Sequence, residues 1–354
     1  WSSDVCSSDL VNNASFFAPT QSDAFGRLRV SNPLTLFDTQ NRYYDQGQFF
    51  TYTSGTGVST YNANSSTFTM AVTGTGSVIR ESARTFIYQP GKSLFILNTF
   101  CMAAKASGLT QRVGYFNTNN GIFFEITGST VNMVIRSYSS GVVVEDRVAQ
   151  ADWNGDTLLG TGGVSNLSGI ELNTAVDQIF WTDVEWLGVG SVRVGFVING
   201  VFYTCHTFNH ANQAGNTTTY MTTATLPIRY EITNTGPTLS TSTMTQICSS
   251  VISEGGYSQT GPTESAGTGI NVKRLTTSGT YYPIASIRLA SGRLDAIASP
   301  TQVDVLSPTV NYYRWVLLKN TTLTGATWAG TSSTGSVQYD TAATAVSGGT
   351  EIAS

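Results

Sequence analysis

Three small groups of residues in this 354-residue chain could do chemistry. The first is Cys205, His206 and His210 in the run CHTFNH, which holds both histidines of the sequence. On a helix, imidazoles four residues apart would face one metal ion. In an extended strand they share a face but stand about 13 Å apart, beyond one ion's reach. The residues around them alternate as a strand does, so a hydrogen-bonded sheet histidine is expected and no metal or other cofactor is predicted. The second group is Asp183 and Glu185, on one face of QIFWTDVEWL beside Trp181, with Glu125 and Glu231 on other strands. Two carboxylates about 6–7 Å apart along a strand have a spacing at which an acid and a nucleophile can flank a glycosidic bond. Any alternating strand with two acids gives this spacing, so a salt-bridged or solvated pair competes with it, and no catalytic residue is predicted. The third group is Asp152, Asn154 and Asp156 in DWNGD. It resembles an oxygen-donor calcium loop but lacks the glycine and the terminal bidentate glutamate of the helix-loop-helix type. A turn held by side-chain to backbone hydrogen bonds is the simpler expectation. Phosphate-cradling glycine loops, a GxSxG elbow and an HExxH pair are all missing from the sequence.

The elements that must position these groups read as strands. Across residues 42–247, short Val/Ile/Phe/Tyr/Thr runs alternate with Gly/Asn/Ser/Thr turns, and no long amphipathic helix interrupts them. SLFILNTFCM at 93–102 is nearly continuously apolar and predicts a central strand covered on both faces. Residues 112–116, 121–126 and 131–138 predict a meander, and a further strand-like run at 141–147 follows. The clearest local signal is Asn199-Gly200 between SVRVGFVI and VFYTCHTF, because a type I′ turn needs positive φ at both central residues. In contrast, 152–172 is rich in Gly, Asn and Asp without periodicity, which predicts a long ordered loop of the sort that carries binding work.

Composition sets limits on partners. Charged residues are only 11% of the chain, against about 25% in an ordinary soluble domain, and Thr, Ser, Gly and Asn fill their place. A net charge of −4 argues against a nucleic-acid footprint, which needs a basic face. No run of apolar residues is long enough to span a bilayer as a helix. The cysteines at 6, 101, 205 and 248 are too scattered for a zinc knuckle, and free thiols are expected, with a Cys205–Cys248 bridge as the alternative.

Together these features predict an all-β fold: a jelly-roll or lectin-like β-sandwich with an N-terminal arm and a second, smaller β-sandwich domain. Residues 1–10, WSSDVCSSDL, resemble translated sequencing-adapter read-through and are expected to be an artefact. Residues 11–41 are expected to form an extended arm, docked through Arg27, Arg29 and Phe37. Residues 42–250 are expected to form the main sandwich, 251–280 a Gly/Ser/Thr-rich linker, and 281–354 the smaller, possibly truncated, β domain. Trp153, Asn154, Trp181, Asp183 and Glu185 are the expected contacts to a glycan or a partner.

Several blocks carry a family resemblance. AFGRLRVSNPLTLFDTQ at 24–40, NNGIFFE at 119–125, QADWNGD at 150–156, QIFWTDVEWLGVGSVRVGFVING at 178–200, CHTFNHAN at 205–212 and IRLASGRLDAIASPTQVDVL at 287–306 are similar to uncharacterised virion structural proteins of tailed bacteriophages. The resemblance implies a virion location and a structural, non-enzymatic role in tail, baseplate, head fibre or capsid surface. It implies homo-oligomeric and other virion-protein partners, and possible contact with a host-surface glycan. It supplies no catalytic residues. A polysaccharide-binding or glycan-cleaving β-sandwich module is the alternative.

Overall fold

The computed structural model describes residues 33–353 except 45–46, 162–164, 237–239, 259–260, 271–272, 294–295 and 308–311. The chain divides into two units, Trp1–Ser258 and Gln259–Ser354. In chain order the first unit contains β1 (Leu34–Thr39), β2 (Phe49–Gly55), β3 (Val58–Asn62), β4 (Thr67–Val72) and β5 (Gly76–Ser82). Then come β6 (Leu94–Cys101), β7 (Leu109–Phe116), β8 (Gly121–Thr127), β9 (Thr130–Ser137) and β10 (Val144–Ala149). The last are β11 (Gln178–Val184), β12 (Val192–Ile198), β13 (Val201–Phe208), β14 (Ile228–Asn234) and β15 (Ser242–Ser253).

These strands pair antiparallel into two sheets. The eight-stranded sheet runs β13-β12-β11-β6-β15-β4-β3, and β1 also joins β15. The seven-stranded sheet runs β10-β9-β8-β7-β14-β5-β2. The fold is therefore the expected all-β sandwich. The near-continuous apolar run forms β6, an interior strand between β11 and β15. The meander is β7 to β9, with β10 pairing on beyond β9, and the hairpin turn has Asn199 at φ 53° and Gly200 at φ 78°, the positive values that a type I′ turn requires.

One expectation changes at the N-terminal segment. Residues 34–39 of the predicted arm are strand β1, which pairs with β15 from Leu34↔Ser253 to Thr39↔Ser249, beyond the stretch that pairs with β4. Its Phe37 is buried in the core and packs against Phe49 and Phe86 with ring centroids 6.0 and 5.1 Å away. This part of the segment is thus built into the sandwich. Arg27 and Arg29 lie outside the described residues.

The interior is a single large apolar cluster drawn from the inward parity of both sheets. At its centre Phe124 of the seven-stranded sheet meets Phe100, Phe180 and Phe196 of the other at centroid distances of 6.1, 5.9 and 5.2 Å. Polar bridges fix the sheets in register. The Tyr230 hydroxyl lies 2.8 Å from the Ser249 hydroxyl and donates to the Cys248 carbonyl at 3.0 Å. The Tyr115 hydroxyl, within hydrogen-bonding distance of the Phe86 and Ala224 carbonyls, ties two connecting segments to β7. Burial pushes both phenols far above their ordinary range, so they remain protonated donors.

The second unit holds β16 (Ser286–Leu289), β17 (Leu317–Lys319), β18 (Thr322–Thr324), β19 (Ala329–Gly330), β20 (Val337–Asp340), β21 (Ala345–Ser347) and β22 (Thr350–Ala353). They pair as one three-stranded and two two-stranded antiparallel sheets. The smaller sandwich expected here takes the form of short ribbons, because its large apolar side chains, Tyr312, Trp315 and Leu317 among them, are exposed. A buried carboxylate organises part of it: Asp340 accepts the backbone N–H groups of Thr327, Ala342 and Ala343 at 2.6, 3.2 and 3.1 Å.

Candidate binding surface

The predicted contact residues do not form an open site. Strand β11 alternates as expected, with Phe180, Thr182 and Val184 turned inward and Trp181 and Asp183 on the outer face. Both outer residues are nevertheless buried, at 1% and 0% exposure. Trp181 lies between Phe95 and Phe202, centroids 6.0 and 6.1 Å away, and its indole covers Gly195 of β12, where a Cβ would press on it. Asp183 sits opposite Arg193 in the ladder and accepts from its Nη2 at 2.5 Å. Glu185 lies one residue beyond the end of β11, so it does not continue the alternation that would pair it with Asp183. It is half-buried, and its carbonyl accepts the Tyr220 hydroxyl at 3.3 Å. The glycosidase-like pair is thus taken apart by a salt bridge and by the end of the strand, and no sugar can stack on Trp181.

The DWNGD loop serves the sheet edge. Trp153 is buried and its indole donates to the Val148 carbonyl at 3.1 Å. Asn154 is exposed, yet its side-chain amide donates to the Thr207 carbonyl and accepts the Thr207 N–H, both at 2.8 Å. With Gly155 and Asp156 donating to the carbonyls of Cys205 and Thr204, the loop occupies the free edge of β13, where an unpaired strand would invite association. Asp156 closes its own turn by accepting from the N–H groups of Leu158 and Ser168. The simple side-chain-held turn describes this loop.

The two histidines serve different neighbours. His206 Nδ1 accepts the Asn154 N–H at 3.1 Å, whereas His210 Nδ1 lies 2.7 Å from the Gly190 carbonyl and its ring stacks on Tyr220 at 3.9 Å. Among the described residues no three metal-ligating side chains come together. Cys101, Cys205 and Cys248 are free thiols; Cys205 is buried and the others half-buried.

Burial lowers the pKa of both imidazoles. The folded state then binds fewer protons than the unfolded chain below about pH 6.5, so stability is present above that value and is lost as pH falls. Glu145 acts in the same sense at lower pH. Burial alone would raise its pKa, but the hydrogen bond and charge of Arg136, with Arg112 and Arg147 nearby, bring it below the usual carboxylate value. The melting temperature is therefore expected to fall in two stages, first between about pH 7 and 5 and again below about pH 4.3. A flat profile between about pH 7 and 5 would refute the histidine part.

A feature missed by sequence reasoning lies on the outer face of the seven-stranded sheet. Arg112 of β7 bonds Glu125 of β8 at 2.8 Å and Glu231 of β14 at 2.9 Å. Arg147 also reaches Glu125 at 2.8 Å and contacts Glu145, which holds Arg136 at 2.6 Å. Arg229 joins Glu231 and Glu81 at 2.8 and 3.1 Å. Four guanidiniums and four carboxylates thus form one continuous neutral network. Beneath it Phe116, Phe123 and Val134 make a second, fully buried apolar cluster. The Arg136 guanidinium covers both rings, at 5.5 and 5.0 Å from their centroids. Gly121 leaves the space that Phe116 fills, since a Cβ there would collide with that side chain. Beside the charged rows runs a hydroxyl row across six strands, Ser54, Ser77, Thr233, Thr110, Thr127 and Thr130.

In the first unit an exposed aromatic surface lies at the margin of this face, where β2 and β3 form the edges of their sheets. Tyr43, Tyr44, Phe50 and Tyr52 are 71, 55, 50 and 53% exposed. Asn41, Arg42 and Tyr44 are tied to the sandwich. Asn41, at φ 51°, is buried and donates to the Ile247 carbonyl at 2.8 Å, and the Tyr61 hydroxyl lies 2.8 and 2.9 Å from the carbonyls of Asn41 and Arg42. Tyr44, at φ 75°, packs edge-on against Tyr61 and Phe68, both 5.4 Å away. The buried Arg80 guanidinium in turn stacks on Phe68 at 3.5 Å. A depression of about 150 Å³ opens here, lined by Asp38, Gln40, Arg42, Tyr43, Tyr44 and Gln48 among others. A larger groove, about 460 Å³, runs beside β11 past Thr99, Glu171, Asn173, Asp177 and Ile179, and no aromatic ring lines it.

No protein-family model matches the chain, and no curated protein matches it. Among solved structures, the botulinum neurotoxin serotype C1 binding domain aligns with a TM-score of 0.36 and 12% identity, over 61% of this chain and 48% of that one. The binding domain of botulinum neurotoxin DC in complex with SialylT gives 0.35 and 10%, over 61% and 47%. Arcelin-5, a lectin-like defense protein from Phaseolus vulgaris, gives 0.35 and 12%, over 63% and 99%. The match spans about half the length of the neurotoxin domains. None of these distant likenesses lends the chain a ligand.

Proposed function

We propose that this protein is a non-catalytic structural component of a tailed-phage particle, working by surface contact with other copies of itself and other virion proteins. The carrying observation is how the two fully buried carboxylates on the outer faces of the sheets are held, Asp183 by Arg193 and Glu125 by Arg112. An acid buried against an arginine in this way is closed to a substrate. The resemblance of the sequence blocks to phage virion proteins supports the particle role. Glycan contact remains the second reading, favoured by the exposed aromatic edge at Tyr43 and Tyr44.

The test combines sedimentation of the purified chain with assays for sugar release from a polysaccharide panel. A concentration-dependent or stable oligomer without turnover is expected. Turnover abolished by Asp183→Asn would overturn the non-catalytic reading, and a strict monomer at every concentration would overturn the assembly role.

A further inference from the structure

We infer that the depression at Tyr43 and Tyr44 is a sugar-binding site, taking one neutral pyranose ring of a larger glycan. This rests on the non-catalytic reading above and gives that surface a ligand class. The polar groups around it are planar pairs of donors or acceptors: the Asp38 carboxylate, the Gln40 and Gln48 amides and the Arg42 guanidinium. Such groups match two adjacent hydroxyls of a sugar, and a phenol ring offers an apolar face to its C–H face. Asp38, Gln40 and Arg42 are exposed, and no ion pair holds them among the described residues, in contrast to the acids and arginines of the seven-stranded sheet. Arg42 lies 5.5 Å from the Tyr43 ring centroid, which keeps one face of that ring furnished and orients the other.

Size and rigidity favour this ligand. The depression is well below the roughly 300 Å³ at which pockets for drug-sized ligands begin, and a single ring suits it. The Tyr61 hydroxyl and the Asn41 amide fix the backbone at Asn41 and Arg42, so this part of the lining is in place before binding. Preorganisation of this kind lowers the entropy cost of association. The opposite charges of Asp38 and Arg42 balance, which fits an uncharged sugar.

Saturation-transfer NMR of the full chain with hexasaccharides of glucose, galactose, mannose and N-acetylglucosamine tests this directly. At least one should bind, with Tyr43→Ala weakening affinity about tenfold or more and Asp38→Asn weakening it by a smaller factor. Tyr43→Phe should retain most of the affinity. Tyr43 is largely exposed, so the alanine variant should fold, and its melting curve verifies this. No binding at about 10 mM sugar, or binding indifferent to Tyr43→Ala and Asp38→Asn, would overturn the site. If Tyr43→Ala instead shifts the sedimenting species, the edge is a subunit contact: the sugar proposal fails while the structural reading survives.

Discussion

Phe124→Ala is expected to cost about 3–5 kcal/mol, the range for deleting a fully buried aromatic ring from a packed core. The ring is the meeting point of the two sheets, touching Phe100, Phe180 and Phe196 on three strands of the opposite layer. Its loss leaves a void that strands β6, β11 and β12 cannot close without breaking their own ladders. For a unit of this size the melting temperature should drop by roughly 10 °C. Phe50→Ala is the matched control: it removes the same ring from an edge strand where it is half exposed, and should change stability by about 0.5 kcal/mol or less. Equal losses for the two variants in denaturant titrations would contradict the assigned packing.

The neighbouring residue gives the second large effect, for a different reason. Glu125 is fully buried on the opposite face, where it accepts from both Arg112 and Arg147. Removing Glu125 takes one charged hydrogen-bond acceptor from each arginine while Glu231 and Glu145 remain, and Glu125→Ala should destabilise by about 1.5–3 kcal/mol. Arg112, itself mostly buried, loses one of its two carboxylates. Arg147→Ala should cost far less, about 1 kcal/mol or below, because Arg147 is more than a third exposed and water can replace its contacts. High salt should change the Glu125 effect little, since buried pairs are weakly screened. The double variant Arg112→Met/Glu125→Leu should be less damaging than the two single losses added together, which a double-mutant cycle measures. An additive cycle would mean that the two groups do not interact as the geometry places them.

These two adjacent residues also mark the limit of sequence reading. GIFFEIT alternates plainly, so its inward set, Ile122, Phe124 and Ile126, was legible as a core face. The same parity placed Phe123 and Glu125 together on the other face. What could not be read was that this second face is closed as well. Arg112 and Glu125 are hairpin neighbours and within reach of a local argument, but Glu231 comes to Arg112 only because β14 inserts between β7 and β5. Arg229 and Glu231 of RYEIT share a parity, as do Glu145 and Arg147 of VEDRVA although Asp146 falls on the other, and that partial coincidence was the available signal.

The outcome at Asp183 and Glu185 turned on a similar point: Asp183 is salt-bridged, as one of the two competing readings had it, but its partner was not legible. Strand spacing correctly made Asp183 and Trp181 share a face, yet spacing is silent about the residue across the ladder. Arg193 on β12 and the end of β11 after Val184 decide what the acids can do. Likewise the spread-out tyrosines gave no ranking by exposure, whereas the structure leaves Tyr43 largely open and seals Tyr115 and Tyr230 inside.

Local rules determined the strands and their turns, since alternation and the positive φ of Asn199-Gly200 act over a few residues. Tertiary pairing alone decided which charges neutralise each other and which rings remain open to a partner. That division follows from range: a hairpin fixes its register through its own turn, but the order of non-consecutive strands depends on the whole core closing at once.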